Sequence, residues 1–313
     1  MGRSLRGMGV PLLAWVACSS SGPIIVDGHV IADALPPDGP VTAGPDAPTV
    51  VRAGPGIRPT ADNTGVPPGV TLTVVDGDVD VTDDNTTIDA EDIHGFLTIR
   101  ASHVRVTRTI VRGRATGGNA SVIRVASGSD NLIEDSEIAV AFPSAGVDGF
   151  GGGGFVGRRL HIHGGVDGMK VGSNSTVEYS YIHDLSSFEH DPNQGGGPTH
   201  NDAIQILEGT GIHIVGNALV PSTDQNAAIQ VTQDFGLVTD LHIEENFADG
   251  GGCTFNFAHK VLASLDGVFV SDNRFGRHSY FACPILKSTQ TTLTLSGNVW
   301  DDDGTTVPVQ THD

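Results

Sequence analysis

The sequence predicts an all-β protein, a right-handed parallel β-helix solenoid of about ten coils. The first observation is an internal repeat, since short β-branched phrases recur roughly every 19 to 35 residues between about residue 120 and residue 300. The second is the composition of the segments between these predicted strands, which are rich in the turn-forming residues Asn, Asp and Gly, with 42 glycines in the chain. The third is the alternation of apolar and polar residues within each phrase, which is typical of strands with one buried face.

Two apolar ladders set the register of the predicted coils. In the first strand of each coil, the residues expected to point inward are Ile123, Phe150, Met169, Ile204, Ile229, Phe255 and Ile285. In the second strand, the corresponding set is Ile138, Ile162, Ile182, Leu219, Ala248, Phe275 and Trp300. Because both sets agree on one register, we expect them to stack in the interior of the solenoid.

The N-terminal region divides into two segments ahead of a β-helix domain at 59–313. Residues 1–18 resemble a bacterial lipoprotein signal that ends at a lipidated cysteine, Cys18. An ordinary secretion signal with an incidental cysteine is the alternative. Residues 19–58 are rich in Pro, Gly and Asp and are predicted to form a disordered linker. The protein is therefore expected to be exported and anchored by its lipid at the bacterial cell surface or outer membrane.

The charge balance limits the partners. The formal net charge is −20, so nucleic acid and anionic membrane surfaces are poor partners, and membrane contact is expected only through the N-terminal lipid. A polyanionic substrate would need a bound cation or a locally basic patch. We expect a monomer.

The two remaining cysteines, Cys253 and Cys283, occupy the same place on consecutive predicted coils. Strands stack about 4.8 Å apart, within the Cα separation that a disulfide accepts. In an exported protein they are therefore expected to form either a disulfide or a buried thiol stack.

Three carboxylates align at the start of the first strand on successive coils: Asp148, Asp167 and Asp202. Like charges about 5 Å apart repel unless a cation or a proton lies between them. Three interpretations stay open. The set could bind a cation such as Ca²⁺, supply a general acid and base, or hold the turns by accepting backbone N–H bonds.

A long polar insertion at 184–201 lies between the coils of Asp167 and Asp202 and holds three carboxylates and two histidines, His190 and His200. His183 precedes it, in register with His163 on the previous coil. Polar loops on a rigid scaffold commonly carry binding groups, although a solvated loop without a role is the alternative.

Two further polar series are visible. An outward ladder, Arg124, Lys170, Gln205, Gln230 and Asn256, could bind successive groups of a sugar chain, or it could be a solvated sheet face. A second series, Asn217, Asn246, Asn273 and Asn298, falls at turns and is predicted to form a structural amide ladder.

The stacked pattern resembles the pectate-lyase-like superfold, and the stretches 62–72, 200–205, 250–252 and 273–276 resemble secreted bacterial proteins with a right-handed β-helix domain. Members of this superfold include polysaccharide lyases, glycoside hydrolases, epimerases and non-enzymatic adhesins, so the fold alone does not select a chemistry. The resemblance to the lyases implies Lys170 as the base, Asp148, Asp167 and Asp202 as Ca²⁺ ligands, and His183 or His200 as the proton donor.

The sequence thus favours a surface-tethered protein that acts on a polysaccharide. Elimination is placed slightly ahead of hydrolysis because a lysine lies beside the carboxylates. Catalytic residues would be Lys170, His183, His200 and Asp202, and the substrate would contact Arg124, His190, Gln205, Gln230 and Asn256. The alternative is a non-catalytic adhesin or structural solenoid that binds glycans.

Overall fold

The computed structural model describes residues 50–221, 226–257 and 265–312. Within them, 29 strands form three parallel sheets of ten, ten and nine strands, with one strand of each sheet in almost every coil. A short 3₁₀-helix at Pro192–Gln194 is the only helix among the described residues. The predicted fold class, a right-handed parallel β-helix of about ten coils, is confirmed.

The strands are numbered in chain order. Sheet 1 contains β1 Thr73–Asp76, β4 Glu91–His94, β7 Ile110–Val111, β10 Glu137–Ala139, β13 His161–His163, β16 Tyr181–His183, β19 Ala218–Val220, β22 Phe247–Ala248, β25 Arg274–Phe275 and β28 Val299–Trp300. Sheet 2 contains β2 Val79–Val81, β5 Leu97–Ile99, β8 Ala120–Val125, β11 Val147–Gly152, β14 Met169–Val171, β17 Asp202–Ile206, β20 Ala227–Val231, β23 Cys253–Phe257, β26 Cys283–Ser288 and β29 Val309–His312. Sheet 3 contains β3 Thr87–Asp89, β6 Arg105–Thr107, β9 Asn131–Glu134, β12 Phe155–Arg158, β15 Ser175–Glu178, β18 Gly209–Val215, β21 Val238–Glu244, β24 Val268–Ser271 and β27 Leu293–Ser296.

The core is built from the predicted apolar ladders. Met169 pairs with Phe150 on one side and with Ile204 on the other, and Ile204 pairs with Ile229, all four fully buried. In sheet 1, the ladder continues from Ile138 through Ile162 to Ile182. Each coil therefore buries its inward residues on the coils above and below it, which is the main source of stability in a solenoid.

A buried asparagine ladder lies at the turns from sheet 3 to sheet 1, as predicted. Asn217, Asn246, Asn273 and Asn298 stack on four successive coils. The side-chain oxygen of each asparagine after the first accepts the backbone N–H of the asparagine on the preceding coil. Asn246 Oδ1, for example, accepts the Asn217 N–H at 2.9 Å. These amides therefore satisfy backbone groups that the turn leaves without a partner.

The disulfide position follows from the register. Cys253 and Cys283 are direct partners on β23 and β26, and they are bonded, with their Cα atoms 4.7 Å apart.

The predicted linker boundary at residue 58 is too late. The backbone N–H of Ala53 donates to the Asn63 carbonyl at 3.0 Å, and Ala53 is buried. Arg52 lies 2.6 Å from Asp135, and Arg58 lies 2.6 Å from Asp301, two carboxylates on distant coils. This segment is therefore part of the domain and runs along it. The predicted signal, Cys18 and the rest of the linker lie outside the described residues. In the part of the chain that the structure describes, no helix combines the length and apolarity that crossing a bilayer requires.

Candidate functional site

A cleft of about 1190 Å³ lies over the outer face of sheet 2. Its floor comes from β8, β11, β14 and β17, and its rim includes part of the insertion that precedes β17. Gly151 stands between Arg124 and Lys170 in the outward column. A Cβ at Gly151 would lie 2.6 Å from the Ser121 hydroxyl, so the glycine keeps the floor open between the two cationic side chains.

Asp148, Asp167 and Asp202 form a ladder of carboxylates beside this cleft, and the first two of them line it. Asp148 Oδ1 accepts the backbone N–H of Asp167 at 3.3 Å, and Asp167 Oδ1 accepts the backbone N–H of Asp202 at 2.8 Å. All three are buried, and Asp202 is fully so. Asp148 and Asp167 therefore each join their own coil to the following one, whereas each asparagine of the other ladder accepts from the coil before it.

The Lys170 ammonium lies between the second oxygens of two of these carboxylates. Its Nζ is 2.6 Å from Asp148 Oδ2 and 2.9 Å from Asp167 Oδ2. Lys170 points outward from β14, as the alternation of the strand predicted, and Met169 and Val171 on either side of it are buried. The cleft wall thus carries an ion triplet of two carboxylates and one ammonium.

Burial and the neighbouring charges shift the pKa values of the three aspartates and of Lys170. Burial raises the pKa of Asp167 to about 6, although the Lys170 ammonium opposes the shift. Burial also raises the pKa of Asp148, again against Lys170, and raises that of Asp202 well above its usual range. Burial lowers the pKa of Lys170, but the carboxylates of Asp167 and Asp148 outweigh it and hold that pKa above its usual range. Lys170 is therefore charged at neutral pH.

Replacing Lys170 with methionine should destabilise the fold, and more so at high pH. Breaking a buried ion pair from one side costs about 3–5 kcal/mol. We expect about 2 kcal/mol here because the Lys170 side chain is 37% exposed. The carboxyl groups left behind have raised pKa values in the folded state, so the folded state binds more protons and stability falls as pH rises from about 4 to about 7.

Urea unfolding of this variant at about pH 5 and about pH 8 measures the effect. The matched control is Lys287→Met on β26, since Lys287 donates to the Thr291 carbonyl at 2.7 Å. An equal loss of stability at both pH values in Lys170→Met would contradict the role of the carboxylates.

The structure brings most of the predicted site residues to the cleft. Arg124, His200 and Gln205 line it together with the ion triplet. Asp202 and Gln230 are buried and do not line it.

Three predicted residues lie elsewhere. His190 is exposed on the insertion, with its Nδ1 3.1 Å from the Gly196 carbonyl, and it does not line the cleft. Asn256 follows farther along the outward ladder, also outside the cleft lining. His183 is on sheet 1, so the structure does not bring it to Lys170 on sheet 2. The proton-donor role predicted for His183 in the cleft is therefore not supported by the geometry.

Sequence reasoning missed three residues that shape the site. Asn119 and Asn193 exchange side-chain hydrogen bonds at 3.1 and 3.2 Å, which ties the insertion to the coil before β8. Asn226 Nδ2 donates to Asp202 Oδ1 at 3.0 Å and to Gln230 Oε1 at 3.2 Å. Asn226 directly precedes β20, one place before a recurring phrase, and that position was a usable signal. The sequence around Asn119 gave no signal of its role, because its partner Asn193 is 74 residues away in the chain.

The aspartates do not fit a Ca²⁺ site. Calcium takes six to eight oxygen ligands, several of them carboxylates. Here the position between Asp148 and Asp167 is filled by the Lys170 ammonium, and each remaining oxygen described above accepts a backbone N–H. The cation predicted between these carboxylates is thus supplied by the chain itself.

Comparisons with known proteins add little to this geometry. No protein-family profile and no curated protein matches the sequence. Two solved structures of trypsin-treated variants of QnrB1, a plasmid-mediated fluoroquinolone resistance protein, are similar at 10% and 11% identity. The alignments cover 74% and 73% of this chain and 92% of each QnrB1 chain, with TM-scores of 0.23 and 0.22. Similarity at this level carries no argument about function.

Proposed function

We propose that this protein acts on a polysaccharide, which binds in the cleft over sheet 2. The observation that carries the proposal is the ion triplet of Asp148, Lys170 and Asp167 in the wall of a cleft that spans several stacked strands. Arg124, Gln205 and other polar side chains follow the stacked strands and offer hydrogen bonds at the regular spacing of a repeating ligand. Charged and hydrogen-bonding groups of this kind suit the hydroxyl groups of sugars.

Within this proposal, hydrolysis is favoured over elimination. A lysine acts as a base only when its ammonium loses a proton, and the two carboxylates raise the pKa of Lys170. The carboxyl groups themselves are better placed for acid–base work, because the pKa of Asp167 is raised to about 6. This reverses the order of preference that the sequence suggested.

The chemistry would use the two aspartates in turn. Protonated Asp167 gives its proton to the glycosidic oxygen while ionised Asp148, held by Lys170, attacks the anomeric carbon and forms an ester. The glycosidic bond breaks in this step, and the protonated oxygen leaves as the alcohol of the released sugar. Water then attacks that carbon, Asp167 takes its proton, and Asp148 leaves as a carboxylate. Stacked strands place the two carboxyl groups about 5 Å apart, which is near the spacing of glycosidases that retain configuration.

The second candidate is a non-catalytic glycan-binding solenoid. It is favoured by the backbone hydrogen bonds that Asp148 and Asp167 accept, since these give both residues a structural role without any chemistry. In this reading the cleft holds a glycan, and the ion triplet fixes the coils below it.

A polysaccharide panel separates these readings. Neutral and uronate-containing glycans are incubated with the protein, and three readouts are taken: new reducing ends, absorbance of unsaturated uronate, and retention of the glycan on immobilised protein. We expect reducing ends without unsaturated uronate. Unsaturated product would show elimination and contradict the argument on Lys170. Retention without product would favour the binding protein, and no retention would overturn the carbohydrate proposal.

We further propose that the protein belongs to the secreted, pectate-lyase-like type of β-helix and is exported and tethered by a lipid at Cys18. The basic, apolar and small-residue order of 1–18 supports this, and the net charge of −20 agrees with a partner other than nucleic acid. Metabolic labelling with a radioactive fatty acid, compared between the wild-type chain and Cys18→Ser, tests the anchor.

A further inference from the structure

A second polar cluster lies on the outer face of sheet 1, away from the cleft over sheet 2. It contains Glu137 on β10, His161 and His163 on β13, and His183 on β16. Glu137 pairs with His161 in the sheet, and His163 pairs with His183, so three consecutive coils contribute. All four side chains are outside the core, and the proposed action on polysaccharides makes no use of them.

The ligand atoms of this cluster converge. One such atom from each of Glu137, His161 and His163 lies within 4.8 Å of the other two. His163 Nε2 is 3.1 Å from Glu137 Oε1, and His161 Nε2 is 2.8 Å from His183 Nε2. Ligand atoms around a tetrahedral zinc are about 3.3 Å apart, so only small side-chain movements separate this arrangement from a coordination shell.

The contact between the two histidines is informative. Two Nε2 atoms at 2.8 Å can share only one proton, so at least one of the two nitrogens carries a lone pair, which is what a metal ligand needs. His183 Nδ1 lies 2.8 Å from the Asp184 carboxylate, which favours a proton on Nδ1 and leaves Nε2 free to coordinate. A carboxylate behind a histidine in this way is typical of zinc ligands.

The surroundings hold the rings in place. Tyr181 stacks on His183 with ring centroids 4.1 Å apart, and His161 stacks on His183 at 5.0 Å. The side chains of His163 and Glu137 are 31% and 25% exposed, so an ion can enter from solvent while most of the shell is already ordered. A preordered set of imidazoles with one carboxylate suits zinc and neighbouring transition metals better than calcium.

We propose that Glu137, His161 and His163 bind a zinc ion, with His183 as the fourth ligand and Asp184 as the residue that orients His183. Because the ligands come from three consecutive coils, the ion cross-links β10, β13 and β16 and stabilises the middle of the solenoid. The site is structural in character, since all four positions around the metal are taken by protein groups.

The test uses the full chain, first freed of metal with a chelator and then titrated with Zn²⁺ by calorimetry, and with Co²⁺ as a spectroscopic probe. We expect one zinc per chain, visible Co²⁺ absorption bands of tetrahedral intensity, and a higher thermal midpoint with excess zinc. His163→Ala should lower zinc affinity at least about 100-fold and remove the Co²⁺ bands, and Asp184→Asn should lower affinity about 10- to 100-fold.

The matched control is His213→Ala. His213 and His242 form a stacked pair on sheet 3 with ring centroids 4.8 Å apart, and His242 lies near Asp240 and Glu244. This variant should bind zinc as the wild-type chain does. Should His163→Ala fail to fold, Glu137→Gln removes a ligand charge while keeping the shape of the side chain, and it should still weaken binding. Absence of zinc binding, or equal binding by the wild-type chain and both Glu137→Gln and His163→Ala, would overturn the proposal.

Discussion

Asp167→Asn should lower kcat for polysaccharide hydrolysis on the order of 10³-fold, because a general acid contributes about 10²- to 10⁴-fold. Asparagine keeps the oxygen that accepts the Asp202 backbone N–H at 2.8 Å, so the coils stay joined while the transferable proton is lost. KM should change little, since the amide has nearly the shape of the carboxyl group. Reducing-end assays on the glycan identified by the panel measure both constants.

The pH profile gives this prediction a second readout. The reaction needs Asp167 protonated, and its pKa is raised to about 6, so wild-type activity should fall as pH rises above about 6. That limb should disappear in Asp167→Asn. The control is Asp135→Asn outside the cleft, where Asp135 pairs with Arg52 at 2.6 Å and Arg159 at 2.7 Å. A loss in Asp135→Asn as large as that in Asp167→Asn would show that the effect is structural.

The fold was predictable because the sequence pattern that specifies each coil is short and recurs in every coil. Each coil repeats one apolar position, so Phe150, Met169 and Ile204 could be aligned without coordinates. The same periodicity placed Cys253 beside Cys283 and identified the asparagine series as structural. In a solenoid, a register found in two coils extends to the others, and this makes sequence reasoning unusually productive.

The site was only partly predictable, because its chemistry depends on burial depth and on which side chains meet. The column of Asp148, Asp167 and Asp202 was visible in the sequence, but the insertion of the Lys170 ammonium between two of them was not. The sequence placed Ile182, the neighbour of His183, on the second strand of its coil, but it did not show that the outer faces of the first and second strands are separate surfaces. For that reason His183 was grouped with Lys170, although the two lie on different sheets.

The asparagine ladder and the aspartate ladder join neighbouring coils by the same kind of hydrogen bond but differ in charge. In both, a side-chain oxygen accepts a backbone N–H from a neighbouring coil: Asn246 accepts from Asn217 on the coil before it, and Asp167 accepts from Asp202 on the coil after it. The amides are neutral and can stack without limit. Carboxylates repel one another, so their ladder needs the ammonium of Lys170 or bound protons, and it is therefore the ladder that can carry chemistry.

Asn246→Ala should lower the free energy of unfolding by about 3 kcal/mol. Asn246 Oδ1 accepts the Asn217 backbone N–H at 2.9 Å, and Asn246 Nδ2 donates to the Ile214 carbonyl at 2.8 Å. Alanine leaves both buried groups without these partners, and each such loss costs about 1–3 kcal/mol. Urea titration measures the change, with Asn256→Ala as the control. Asn256 is half-buried on β23, and its buried Oδ1 has no partner among the described residues, so alanine breaks no hydrogen bond of that oxygen and should cost less than about 1 kcal/mol. If Asn256→Ala proved the more destabilising of the two, the amide ladder would not be what holds these turns.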